Sequence, residues 1–538
     1  IRRPPRSTLF PYTTLFRSKY ADLVGNWYHI TFPVRRLDHV MQNGIPFDGS
    51  SIPGMKSVES GDMVLIPDPA TAIMDPFASA PTLRMLSYIC DADTREGVNK
   101  DPRTVAGRAR QFMIESGIAD ESLWVPEFEF YLFNEARIDN GKYSAGYRFT
   151  SAENKDDLPG GYLDADGTAV AHRKGYHIDI PFDKYTEVRE EMVRLIEGVG
   201  CPIRYHHHEV GLSGQQEIET ELLPFELVTD RMMYVKDIVH NCALKHGLTA
   251  TFMPKPLYDE PGNGMHFHIQ LRKGGKNVFY DADGYAGLSD TALTFIGGIL
   301  AHGRSLTAFT NPSTNSYKRL LPGFEAPVKL FFGLANRCAA IRIPKYATSE
   351  EAKRIEFRTS DGSCNYYLAM SALLMAGLDG VKNRILPDDR NSFGPFDDNV
   401  FDWPEAEQAR LESIPASLEE ARALISGAGE EGRVDHQQEG GDDEAGAEGA
   451  DLAAGGVVLR GAGRIVAQRV VAARGVAEDR IDGDVAVATD GIGRRHDDYL
   501  TFECSLCRGP IQFLNERLKH RIAGSFIGVQ TGLQIDIG

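Results

Sequence analysis

Cysteine is scarce in this 538-residue chain, and Cys90, Cys201, Cys242, Cys338 and Cys364 fall at irregular intervals among a total of seven. A sparse, odd set without framework spacing excludes a disulfide scaffold and fits a reducing compartment, so a cytoplasmic location is expected. Long hydrophobic runs are missing too. The apolar stretch at Ala372–Gly377 falls far short of the ~18 residues that cross a bilayer, and reads as a core helix. Positive charge is in deficit, with 58 lysines and arginines against 76 aspartates and glutamates and a net charge of -18. That balance argues against a nucleic-acid or acidic-membrane surface, because both are polyanions. A small anionic substrate stays possible, since it needs only a local cationic pocket. What remains, 42% hydrophobic and 25% charged residues, is a globular composition with length for two or three domains.

Both ends depart from the middle. Residues 1–18, IRRPPRSTLFPYTTLFRS, carry arginines and a repeated TLF, but neither an apolar core nor a small-residue cleavage site. This argues against a signal peptide, and the segment reads as foreign, adapter-like sequence outside the fold. From residue 427 the composition shifts: 427–456 hold no aromatic residue, and 427–538 hold one lysine, Lys519. No clear helical or strand period takes over, so 427–538 is expected to be an unrelated tail, frameshifted or disordered. It contains two decoys. Gly427-Ala-Gly-Glu-Glu-Gly432 matches GxGxxG, but no strand precedes it and its glutamates repel a pyrophosphate. Cys504 and Cys507 form a CxxC without the two further ligands a zinc site needs.

The chemistry lies between these ends. Successive side chains of a strand point to opposite faces, so residues two apart share one. Glu127-Phe-Glu-Phe-Tyr131 sets Glu127 and Glu129 on one face. Met265-His-Phe-His-Ile-Gln-Leu271 alternates apolar residues with His266, His268 and Gln270. Arg354-Ile-Glu-Phe-Arg358 sets Arg354, Glu356 and Arg358 opposite Ile355 and Phe357. A fourth acidic element, His206–Glu217, places Glu209 and Glu217 around Gly211 and Gly214, which permit a bend. Any one such face alone would simply meet solvent. Solvated faces usually mix lysine, threonine and serine, however, whereas glutamate, histidine and arginine dominate here. Convergence on one polar cavity is therefore expected.

Glu127, Glu129, Glu209, Glu217, Glu356 and His266 cannot share a cavity in ionised form unless cations neutralise them. Oxygen donors without cysteine point to Mg2+ or Mn2+, and six protein ligands suit two ions. Arg319, Arg337 and Arg342 add fixed positive charge matched to carboxylate and phosphate oxygens. The residues alone thus lead to a metal-dependent ligase or kinase that acts on a small anion, with ATP as phosphoryl donor.

Longer strings narrow this. Phe47-Asp-Gly-Ser-Ser-Ile52, Glu127-Phe-Glu129, His206–Glu209 with Gln216-Glu217, Lys255-Pro-Leu257, Gly262-Asn-Gly-Met-His266, Asn311–Arg319, Pro322-Gly-Phe-Glu325 and Arg354–Arg358 resemble the bacterial and archaeal type I glutamine synthetase family over about 19–426. The resemblance implies an α+β fold: a small N-terminal β-grasp domain at 19–102, then a catalytic domain at 103–426. In the latter a curved antiparallel sheet with flanking helices forms a funnel.

The resemblance also implies roles. Glu129, Glu209 and Glu217 would bind the metal nearer the substrate carboxylate, and Glu127, His266 and Glu356 the metal that bridges ATP phosphates. Arg319 would hold the α-carboxylate of L-glutamate, with Gly262 and Glu129 as further substrate contacts. Arg337, Arg342 and Arg358 would surround the transferring phosphoryl group, and His268, Arg337 and Arg342 would contact ATP. Asp48, with Ser51 nearby, would bind ammonium and accept its proton in a neighbouring subunit's site. Glu325 would sit on a mobile flap. The implied product is glutamine, formed through γ-glutamyl phosphate by a dodecamer of two hexameric rings.

Three positions depart from the family pattern: Pro261 replaces a substrate-contacting asparagine, Gln270 a serine, and Phe401 the tyrosine that some members adenylylate. The family C-terminus is replaced after about Leu424, which is expected to impair ring stacking. Two other readings compete, a ligase joining glutamate to an amine such as a polyamine, and a catalytically silent relative. The Asp48 string argues against the first, and the full set of ionisable residues against the second.

Overall fold

The computed structural model describes residues 13–154, 168–387 and 393–426, together with strands at 499–504 and 509–514. The Gly427–Gly432 run, Cys507 and the Cys504 thiol lie outside that description.

The first domain is a six-stranded sheet of β1 (Leu15–Ala21), β2 (Trp27–Pro33), β3 (Ile45–Asp48), β4 (Asp62–Pro67), β5 (Ile73–Met74) and β6 (Thr82–Asp91). The order is β2-β1-β6-β4-β3, with β5 also on β6; β1 and β6 run parallel and the other neighbours antiparallel. Alternating apolar side chains bury Phe16, Ile45, Met63, Leu65, Leu83, Met85 and Ile89 with Val40 of the helix Leu37–Asn43. The boundary expected after residue 18 falls inside β1. Phe16 is fully buried and stacks on Phe32, and the Ser18 and Ser87 hydroxyls are hydrogen bonded at 2.6 Å. Composition had marked residues 13–18 as foreign, yet their strand alternation completes the sheet.

The second domain is built on β7 (Glu121–Phe133), followed by an exposed hairpin of β8 (Glu135–Asn140) and β9 (Ala145–Thr150). Its sheet continues with β10 (Ile203–His208), β11 (Gln215–Thr220), β12 (Leu223–Pro224), β13 (Thr249–Thr251), β14 (Met265–Lys273), β15 (Lys276–Asn277), β16 (Phe332–Leu334), β17 (Ile341–Ile343) and β18 (Ile355–Phe357). The main path is β10-β11-β7-β14-β18-β17-β16, with β12 and β13 on β7 and β15 on β14. The expectation of an antiparallel sheet needs one correction: β16 and β17 are parallel, so the sheet is mixed. Residues 335–340 return the chain to the starting end before β17 begins. Asn336 holds that return, donating to the Phe396 and Asp398 carbonyls at 3.0 and 2.8 Å.

One face of this sheet is apolar. Met265, Phe267, Ile269, Leu271, Phe128, Phe130, Ile341 and Ile355 are fully buried there, against helices Phe225–Lys245, Asp290–Ala301 and Tyr366–Asn383. The expected core helix at 372–377 lies within the last of these. Helices 290–301 and 366–383 approach so closely that a Cβ on Gly380 would lie 2.1 Å from the Thr294 carbonyl oxygen. Between the domains, Lys19 pairs with Asp237 at 2.9 Å and Trp27 meets Tyr234 edge-on at 5.0 Å. Strands β19 (Tyr499–Cys504) and β20 (Gly509–Leu514) pair with each other. Among the described residues no helix is long and apolar enough to cross a membrane.

Candidate active site

Cross-strand register turns the alternation into a pit. Glu127 of β7 lies opposite Glu219 of β11 and His266 of β14, and Glu129 opposite Glu217. Farther out, His207 of β10 faces Glu217, His268 faces Glu356 of β18, and Glu356 faces Arg342 of β17. Side chains directly opposite one another stand roughly 5 Å apart at Cβ, so the polar faces of these strands meet.

Three groups of donors result, one of them Glu127, Glu219 and His268, which shares Glu127 with the next. Glu127, His266 and Glu356 are buried, with ligand atoms within 4.8 Å of one another. The Glu127 carboxylate lies 2.7 Å from both His266 Nδ1 and His268 Nε2. His207, Glu209 and Glu217 form the third group within the same span. Glu129 stands between the last two groups: its Oε1 is 3.8 Å from His266 Nε2, while its Oε2 accepts the Gly264 amide at 2.6 Å. All six expected ligands therefore border one pit. His207 is an addition, and its signal lay in the sequence, two residues before Glu209. A Cβ on Gly264 would lie 2.7 Å from both Arg319 Nη2 and His266 Nε2, so a side chain there would have to displace these two pit groups.

The two halves differ in charge balance. Burial opposes ionisation of Glu356, yet Arg358 and Arg342 ion-pair with it and bring its pKa down to about 2. Burial likewise opposes ionisation of Glu127, and the His268 and His266 imidazoles hold it well below the usual carboxylate value. Among the described residues the other half has no arginine partner, only His207 at 3.8 Å from Glu209 and 3.5 Å from Glu217. Burial and the Glu129 charge push Glu209 up to about 7, and burial with Glu127, Glu209 and Glu129 pushes Glu217 well above its ordinary range. This half is short of positive charge, and its donors are mainly hard oxygens. Divalent cations of the Mg2+ class fit that deficit.

The arginines form a wall. Arg358 donates to the Arg337 carbonyl at 3.2 Å and the Glu325 carbonyl at 3.3 Å, and Arg337 lies 3.6 Å from the Glu325 carboxylate. Arg319 is buried and donates to the Thr359, Ser360 and Arg358 carbonyls at 2.9, 3.2 and 3.2 Å. The Glu325 segment rests on Phe324, whose ring receives Lys255 at 3.6 Å and Arg173 at 4.6 Å. In the glycine loop, Gly262 offers its carbonyl to Gln215 at 3.0 Å and Pro261 offers its own to Tyr131 at 2.7 Å.

Other expected residues sit differently. His268 is fully buried between Glu127 and Arg354, which donates to its Nδ1 at 3.3 Å. Its Nε2 lies 2.7 Å from the Glu127 carboxylate, so it supports that glutamate. Gln270, also fully buried, ties β14 to the Glu351 and Lys353 carbonyls at 2.9 Å. Asp48 is exposed, and its carboxylate accepts from Ser50 and Ser51, which hold its pKa below the usual value. None of these hydrogen bonds reaches the pit of its own chain.

The chain matches the glutamine synthetase β-grasp domain over residues 13–92 and the glutamine synthetase catalytic domain over 99–428. It belongs to the glutamine synthetase family. The family match begins at residue 13 and so includes part of the segment that composition had set aside. A glutamine synthetase of Frankia alni is 42% identical over 408 residues, covering 74% of this chain and 84% of that one. One of Azotobacter vinelandii is 44% identical over 411 residues, covering 75% and 85%. The structure of Plasmodium falciparum glutamine synthetase agrees in fold, with a TM-score of 0.72 at 24% identity over 88% of this chain and 95% of that one.

Proposed function

We propose that this chain is a glutamate–ammonia ligase, driven by ATP, whose reaction takes place in the carboxylate pit. The carrying observation is the unbalanced half of that pit: half-buried Glu209 and buried Glu217 lie beside Glu129 and Glu127, with no arginine among the described residues to offset them. Glu127, His266 and Glu356 would hold one divalent ion, and Glu129, Glu209 and Glu217 a second, with His207 adjoining it. Bound there, Mg2+ or Mn2+ would offset the charge of the phosphates and lower the repulsion between two anionic substrates.

The protein groups do the rest. Arg319 and the Gly262 loop would orient glutamate, so that a γ-carboxylate oxygen attacks the γ-phosphorus of ATP and ADP leaves. Arg342 and Arg358, fixed by Glu356, face the phosphoryl oxygens as charge develops, with Arg337 beside them. The γ-glutamyl phosphate formed is prone to hydrolysis, and closure of the Glu325 segment would exclude water from it. Ammonium loses a proton to Asp48, and the freed nitrogen attacks the acyl carbon as phosphate departs to give glutamine. Asp48 makes no hydrogen bond into the pit of its own chain, which supports a role in a neighbour's pit. The working unit is then an oligomer in the cytoplasm, built on the family's hexameric ring, with stacking of two rings weakened by the replaced C-terminus.

The test is ADP release from the purified chain with glutamate and either ammonia or putrescine. Release with ammonia and none with putrescine is expected. The reverse would assign an amine ligase, and silence with both a non-catalytic relative.

A further inference from the structure

A second cluster of donors lies on the helices that pack behind the sheet. Cys242 and His246 are four residues apart, one helical turn, at the end of helix Phe225–Lys245. Residues so spaced share a face. Glu191 reaches them from helix Thr186–Gly198, and ligand atoms of all three lie within 4.8 Å of one another. His246 Nε2 is 2.7 Å from Glu191 Oε2. The cations Lys245, at 2.6 Å, and Arg194, at 3.9 Å, both approach Oε1, which leaves Oε2 turned toward the imidazole and thiol. The Cys242 thiol is fully buried, and its hydrogen-bond acceptor is the Val188 carbonyl at 4.0 Å, which makes a weak contact.

We infer that Glu191, Cys242 and His246 form a second metal site, for one borderline divalent ion of the Zn2+ class. The donor set decides the class. One sulfur, one imidazole nitrogen and one carboxylate oxygen suit Zn2+ or Co2+, whereas the oxygen-rich pit suits Mg2+ or Mn2+. Position helps as well, because the C-terminal end of a 21-residue helix carries partial negative charge that favours a cation. Burial raises the Cys242 thiol to about 11, so binding must displace its proton to solvent as the sulfur–metal bond forms. Lys245 would stay on Oε1 and orient the carboxylate. Water would complete four-coordination. The ion would clamp the two helices together and so add stability, independently of the ligase reaction.

The test uses the full chain with the pit saturated by Mg2+, titrated with Co2+. Sulfur-to-cobalt charge-transfer absorption reports this site when the titrated parent carries Cys338→Ser, Cys504→Ser and Cys507→Ser, which removes the thiol beside Arg337 and the tail CxxC as competing cobalt ligands. One equivalent of that absorption is expected, absent in Cys242→Ser. His246 is partly exposed, and His246→Ala should keep the fold yet bind at least ~10-fold more weakly, the lower limit for losing even an outer partner. Zn2+ should raise the melting temperature of the parent more than that of His246→Ala. Absence of the band, its persistence in Cys242→Ser, or unchanged affinity in His246→Ala would overturn the assignment.

Discussion

Glu356 and Glu217 are both buried carboxylates in one pit, yet their neighbours give them opposite characters. Glu356 lies between Arg342 and Arg358, whereas Glu217 lies among Glu127, Glu129 and Glu209. Removing the charge should therefore have opposite effects. Glu356→Gln leaves two buried guanidiniums without their carboxylate and should cost about 3–5 kcal/mol in denaturant unfolding. Glu217→Gln removes an uncompensated charge and should leave metal-free stability unchanged or raised. Equal destabilisation by both would contradict the charge assignment. The sign of the pH dependence follows from Glu209 and Glu217. A carboxyl raised from 4.5 to about 7, as Glu209 is, binds its proton more tightly folded than unfolded. Its stability contribution is full below 4.5 and lost as pH rises through about 7. The melting temperature of metal-free protein should fall across that window, and Mg2+ or Mn2+ should flatten the fall. These opposite characters were not legible in the sequence. Parity along a strand places Glu217 on the polar face, but only the pairing of β11 with β7 reveals that its neighbours are acidic. His207 was within reach of the sequence, two residues before Glu209, but its pairing with Glu217 of the next strand was not.

At the scale of elements, alternation in β7, β14 and β18 was readable because strand periodicity is 2; the apolar faces pack against helices as expected, and the polar faces are largely buried as well. Two features were not readable. β16 and β17 have three residues each, too few to show a period, and their parallel pairing depends on the return through Asn336. β1 was cut at residue 18 on composition, although Phe16 and Tyr20 both enter the core of the first domain. Phe16→Ala should cost about 3–5 kcal/mol, the range for truncating a fully buried phenylalanine. A loss below ~0.5 kcal/mol in chemical denaturation, the level of surface substitutions, would show that the segment lies outside the fold after all.

Across the whole molecule, the β-grasp and catalytic domains were legible as an ordered series of motifs, and both match the family. The proposed assembly is less legible, because the step assigned to Asp48 belongs to a contact between chains. Asp48 lies exposed at the end of β3, with its carboxylate turned to Ser50 and Ser51. If it serves a neighbour's pit, inactive Asp48→Ala chains should complement inactive Arg358→Ala chains. Dissociated, mixed and reassembled, the two should regain activity as wild-type pairs of half-sites re-form. No activity above that of either parent would place Asp48 in its own chain's reaction or outside it.

Catalysis in the pit requires a pair of hard cations to neutralise it, and counting them is the direct test. Equilibrium dialysis of the metal-free chain against Mn2+ should give two ions per chain. Glu217→Gln should remove one of them and Glu356→Ala the other. A stoichiometry of zero, or two ions retained in both variants, would contradict that requirement.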